Sequence, residues 1–237
     1  MAYRGRRHHG HRGRDHSLFA LATGAGMTAR HRHTMLVTHD MGGLHRLFDA
    51  DRVRLGLYLF FGTLLFASLL LAFALHYRQT PAVFAAAAAE LHRRPAVLGG
   101  ALLISAGWAL TRAAGAAERG ASTTGGMLLT LMLGLGFLAA RGWEGYLEYQ
   151  GGVLPLGQPF GYDGPHPLEA LRFFHFHHLV AVLHGVFVLI ALATMLPALT
   201  GGDGERRLTR LRLAGGYWAL VEIVWVADFT AFYLIGA

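Results

Sequence analysis

From Val53 onward the chain is built of long apolar runs, each close to the ~20 residues that a helix needs to cross a bilayer. Five are read, at 53–76, 96–117, 125–148, 170–196 and 212–235. Pro81, Pro95 and Pro197 fall at their ends, as do the Gly201-Gly202 pair and the Pro155, Pro159, Pro165, Pro167 series. There the backbone can leave the helix without stranding polar groups in hydrocarbon. Only 15% of the residues are charged, where a soluble domain carries about a quarter. The expected fold is therefore all-α: an integral membrane bundle of five transmembrane helices over 51–237. Residues 1–50 alternate Arg, eight His and Gly with no sustained amphipathic period, and are expected to be a disordered tail. The mildly apolar stretch from Ser17 to Met27 follows Arg6-Arg7 but is too weakly hydrophobic for a cleaved signal peptide.

Charge orients the bundle. All 21 basic residues are Arg, against 14 acids. Sixteen of these Arg lie in the segment through Arg54 and in or beside the loops after the second and fourth spans (Arg112, Arg119, Arg206, Arg207, Arg210 and Arg212), and only Arg78, Arg93, Arg94 and Arg172 fall on the other face. Basic residues in short loops stay on the cytoplasmic side, so the N-terminus is expected inside and, after five crossings, the C-terminus outside, in the cell inner (plasma) membrane. An Arg/His tail beside a span reads as a topogenic segment in contact with anionic phospholipid, and no nucleic-acid partner is expected. With no Cys in the chain, disulfides, thiolate catalysis, Cys-ligated clusters and thioether-linked haem are excluded.

An ionisable group inside a span costs about 2.5–3.5 kcal/mol at a helix centre, so each needs a reason. In the third span Glu144 is spaced to reach both Arg141 and Glu148, an ion pair with Trp143, Tyr146 and Tyr149 as interfacial aromatics. The fourth span carries His175, His177, His178 and His184. His177 and His184 share a face but lie ~10 Å apart along the axis, so both cannot ligate one iron. The second, third and fifth spans contain no His that could complete a bis-His haem. His175 and His178 with Glu169 form a weaker metal grouping, set against interhelical hydrogen bonding. In the fifth span Glu222 lies one turn from Trp218 and Trp225 and is expected to meet a His of the fourth, with Asp228 ~120° away on another face. Gly99, Gly100, Ala106 and Gly107 on the second span, and Gly134 and Gly136 on the third, permit close helix contact. No catalytic, cofactor-binding or metal residue is assigned. The expected structural polar network is Arg141, Glu144, Glu148, His178, His184, Trp218, Glu222 and Trp225.

The fifth-span run Tyr217-Trp218-Ala219-Leu220-Val221-Glu222-Ile223-Val224-Trp225 resembles the Tyr-Trp-His-x-Val-Asp-x-Val-Trp signature of the haem-copper oxidase subunit III family. The fourth span, Arg172-Phe173-Phe174 through His184-Gly185, is similar to that family's Phe-Phe and His-containing segment with altered His spacing. Glu144 matches its third-span Glu, and Gly56-Leu57-Tyr58-Leu59-Phe60 resembles the opening of the first helix in its five-span form. The likeness covers residues 53–236 in one order. Two polar positions differ: the signature His is Ala219 here, and the acid of the family's first helix falls on Leu64.

The resemblance implies a non-catalytic integral subunit that packs on catalytic subunit I, stabilising it and supporting proton uptake, phospholipid contact or oxygen access. Haem and copper are then expected in the partner subunits, and no cofactor in this chain. Loss of the first-helix carboxylate weakens the proton-uptake part of that role. The rival readings are a subunit III-like component of a nitric oxide reductase, or a stand-alone haem or metal protein using the fourth-span histidines. A small transporter ranks last, because no inverted repeat is visible.

Overall fold

The computed structural model describes the backbone of residues 22–154, 159–199 and 204–235, and the side chains within those ranges from residue 50 onward, except 204 and 205. Among them are six helices and no strand: α1 (Ala22–Tyr77), α2 (Pro81–Ala89), α3 (Arg93–Glu118), α4 (Thr124–Gln150), α5 (Pro167–Leu199) and α6 (Gly204–Tyr233). Backbone contacts divide the chain into two units, Met1–Ala50 and Asp51–Ala237. Helical backbone begins at Ala22, inside the segment where a tail is expected, and no proline between there and Tyr77 interrupts it. The first 21 residues of that expected tail lie outside the described residues.

Among the described residues four helical stretches are long and apolar enough to cross a membrane: Ala50–Tyr77, Arg93–Glu118, Thr124–Gln150 and Pro167–Leu199. The described fold is thus all-helical, that of a multi-pass membrane protein. The fifth expected run is helical as α6, but Gly215, Gly216, Glu222 and Asp228 dilute its apolar residues, and it falls short of the hydropathy of the other four.

Lipid supplies no hydrophobic drive between helices, so their association rests on close approach and shape. The buried side of α3 is accordingly mostly small: Ala96, Gly99, Gly100, Ala106, Ala109 and Ala113, joined by Leu103 and Leu110, recur at three- and four-residue steps. Gly99 meets Phe137 and Ala140 of α4, and Gly126 of α4 meets Ala113, so α3 and α4 run antiparallel. Gly100 accepts the Trp225 ring of α6, while Gly107 accepts Glu222 and Trp218. Gly134 of α4 lies under Leu192 and Trp218, and Gly136 touches only Leu102. Within the unit that starts at Asp51, residues 51–77 of α1 pack on the other helices mainly through aromatic side chains. Phe66 lies edge-on to Phe187, Phe73 packs on Phe84, Phe173 and Phe232, and the Tyr58 hydroxyl donates to the Phe187 carbonyl at 3.2 Å. Its other side is apolar and bare, with Leu57, Phe60, Phe61, Leu64 and Leu71 exposed.

The C-terminus of α4 positions the polar residues described next. Gly152 adopts a left-handed φ of 72°. The Val153 amide then donates to the Glu148 carbonyl at 3.0 Å and the Gly152 amide to Tyr149 at 3.1 Å. This double closure satisfies the last carbonyls of the helix and turns the chain back over its end.

A Cβ at Gly100 would overlap the rigid Trp225 indole, whereas nothing lies within 4 Å of one at Gly145. Overpacking of this kind costs about 1–3 kcal/mol, while Ala for Gly in an open helix position gains up to about 1 kcal/mol. Gly100→Ala should therefore lower the thermal unfolding midpoint in detergent and Gly145→Ala should hold or raise it. Equal midpoints for the two variants would mean that the α3–α6 seam is not set by this contact.

Candidate functional site

Polar side chains converge where the C-terminal turns of α4 and α6 meet the N-terminal third of α5. On α4, Arg141, Glu144 and Glu148 repeat at three and four residues and so share one face. That face is turned inward, since the side chains of Glu144 and Glu148 are each 2% exposed and that of Arg141 10%. Arg141 Nη1 donates to Glu144 Oε2 at 2.5 Å and to the Tyr233 hydroxyl of α6 at 2.8 Å, and its Nη2 lies 4.0 Å from Asp228 Oδ2. Tyr233 in turn donates to Glu144 Oε1. From α5, His178 Nε2 stands 2.8 Å from Glu148 Oε2, and His177 Nε2 stands 3.2 Å from Glu148 Oε1.

Hydrogen-bond geometry places a proton here. His178 Nδ1 lies 2.6 Å from the Phe174 carbonyl, which can only accept, so Nδ1 carries hydrogen. Its Nε2 faces a carboxylate oxygen, so a second proton must sit on Nε2 or on Glu148. Other polar atoms in the group are buried without a hydrogen bond: Glu148 Oε1, His177 Nδ1 and Asp228 Oδ1. A cavity of about 330 Å³ opens beside them, lined by Arg141, Glu144, Glu148, Leu154, His177 and His178. One oxygen from each of Glu144 and Glu148 and one nitrogen of His177 lie within 4.8 Å of one another. Phe160 and Tyr162, from the connection after α4, pack against Phe174 at the same end. Burial, helped by the charge of Glu90, raises the Tyr162 phenol above its ordinary value.

The network read from the sequence divides into three. Arg141, Glu144, Glu148 and His178 come together. His184 stands apart, fully buried, with Nε2 3.0 Å from the Val221 carbonyl of α6. Trp218, Glu222 and Trp225 form a seam against α3. The expected Glu222–His pair does not form. His184 meets α6 at Val221, and the next residue is rotated ~100°, which carries Glu222 round to Gly107. The Glu169, His175, His178 grouping does not form either, because both nitrogens of His178 are engaged elsewhere and His175 is exposed. His177, Asp228 and Tyr233, outside the expected network, belong to the site. Comparison with protein-family models and with curated proteins gives no match for this chain.

Breaking a buried ion pair by removing one member costs about 3–5 kcal/mol, because the charge left behind is uncompensated. Arg141→Leu should unfold at markedly lower temperature in detergent than the parent chain, and adding Glu144→Gln should recover part of the loss. A double variant no more stable than Arg141→Leu alone would show that charge balance does not set the effect.

Proposed function

We propose that the chain is a subunit III-like accessory component of a haem-copper terminal oxidase, packing on catalytic subunit I in the cell inner membrane while haem and copper reside in the partner subunits. The bundle then crosses five times, with α6 as the fifth span, the N-terminus cytoplasmic and the C-terminus outside. The arginines favour that sense. Arg112, Arg119, Arg206, Arg207, Arg210 and Arg212 cluster around the α3–α4 and α5–α6 connections, and antiparallel packing brings these to one end.

The α6 run carries the reading. Residues in it that match the subunit III signature each hold a neighbour: Trp218 and Trp225 fill the glycine notches of α3, the Val221 carbonyl anchors His184 of α5, and Tyr217 lies 4.4 Å from Tyr58 of α1 between ring centres. A run that joins three other helices in this way suits a subunit whose task is scaffolding. The two departures from the family pattern, Leu64 and Ala219, are both exposed, so they alter the outer surface and leave the interior intact. On this reading the exposed apolar side of α1 meets phospholipid or the partner, and the carboxylate that the family carries in its first helix contributes nothing to proton uptake here. The rival reading, haem held by the α5 histidines, is disfavoured because His178 is engaged by Glu148 and Phe174, and His184 by Val221.

Solubilisation in mild detergent should bring down a haem-bearing catalytic subunit with this chain, and the chain alone should show no Soret absorption. Recovery as a stable, colourless monomer without any such partner would overturn the proposal. Glu222→Ala should lower the yield of assembled complex more than turnover per intact complex. A complex of normal yield with abolished catalysis would contradict a scaffolding role.

A further inference from the structure

We infer that Glu144, Glu148 and His177 form a binding site for one divalent transition-metal ion of the zinc type at the cavity between α4 and α5. The three residues are each about 1% exposed and offer two carboxylate oxygens and one imidazole nitrogen within 4.8 Å of one another.

Donor geometry supports the assignment. With Zn–N and Zn–O bonds of about 2.0–2.2 Å, two donors on one tetrahedral ion stand roughly 3.3–3.5 Å apart. Glu148 Oε1 and His177 Nε2 are 3.2 Å apart, yet Oε1 has no hydrogen bond, so the pair is at ligand spacing without being aligned on each other. His178 fixes the other oxygen of Glu148 at 2.8 Å, which orients that carboxylate in the way second-shell partners orient metal ligands. Arg141 and Tyr233 hold the two oxygens of Glu144, and each oxygen keeps a further lone pair.

Charge points the same way. Two carboxylates, Glu144 and Asp228, face the guanidinium of Arg141, and a third, Glu148, faces His177 and His178 in the same group. Negative charge left over in a low-dielectric bundle is a costly state. A bound cation offsets it. The mixed oxygen and imidazole set suits zinc or a neighbouring transition ion better than magnesium or calcium, which take oxygen ligands. The site lies apart from Trp218, Glu222 and Trp225, so it stands or falls independently of the accessory-subunit reading.

The tail carries eight histidines that would bind zinc themselves. The experiment therefore uses the full chain with those eight changed to Gln, purified in detergent, stripped with chelator, reloaded with Zn²⁺ alone and washed. One equivalent of zinc per chain is expected by elemental analysis, with a raised thermal midpoint for Zn²⁺ and none for Mg²⁺. Glu148→Gln and His177→Gln in this background should each lose the ion, while His178→Gln, which spares all three ligands, should retain at least half. Absence of retained zinc when the three ligands are intact would overturn the site and leave protons as its charge balance. Equal zinc in the background chain and in Glu148→Gln or His177→Gln would overturn it as well.

Discussion

A guanidinium held among carboxylates inside an apolar bundle is the constraint on which the rest of this structure turns. Glu144 and Asp228 come from different helices and both pair with Arg141, whose 2.8 Å hydrogen bond to Tyr233 and 4.0 Å approach to Asp228 tie α4 to α6 at that end. Taking such charges from water costs several kcal/mol per ion even after relaxation. Part of the cost is offset by the hydrogen bonds made with Tyr233 on α6 and His178 on α5. Three helices are therefore fixed in register by one group of side chains. A slip of a single turn, about 5.4 Å, would leave at least one carboxylate unpaired in hydrocarbon.

Elsewhere the bundle is held by fit. Glycine faces on α3 and α4 let the indoles of α6 approach the backbone, and the Trp218 ring spans two helices, touching Gly107 of α3 and Gly134 of α4. Dispersion gains from such contacts are individually about 0.1–0.2 kcal/mol per atom pair, so they reward a ring that meets two walls over one that meets a single wall. α1 is held differently. Its inner side is aromatic and its outer side bare, leaving it the most lipid-exposed of the four candidate spans.

The apolar runs made the helices legible in the sequence because hydropathy needs no knowledge of neighbours, and i,i+3 spacing likewise exposed the Arg141–Glu144 pair. Contacts between helices were not legible, since register is absent from a one-dimensional pattern. Asp228 and Tyr233 are five residues apart, ~140° round a helix, and read as unrelated, yet the long Arg141 side chain reaches both. His177 and His178 point ~100° apart, so only one of them looked able to join the network. The two oxygens of Glu148 accommodate both. Glu222 illustrates the reverse error: its spacing to Trp218 and Trp225 was right, but the helix it faces is α3, whose glycines leave room for a carboxylate without advertising a partner for it.

Buried polarity and exposed apolarity are thus separated in a way that bears on assembly. Within the described helices, the carboxylates of Glu144, Glu148 and Asp228 are turned inward, while α1 presents Phe60, Phe61, Leu64 and Leu71 outward. An outward face with no ionisable side chain offers a neighbouring protein shape alone, and shape-driven contact in lipid is weak unless it is extensive. A stable complex built on that face would therefore need most of the length of Ala50–Tyr77. The internal register set by Arg141 matters to such a complex only indirectly, by holding α5 and α6 rigid enough for Phe187, Phe173 and Phe232 to support α1 from behind.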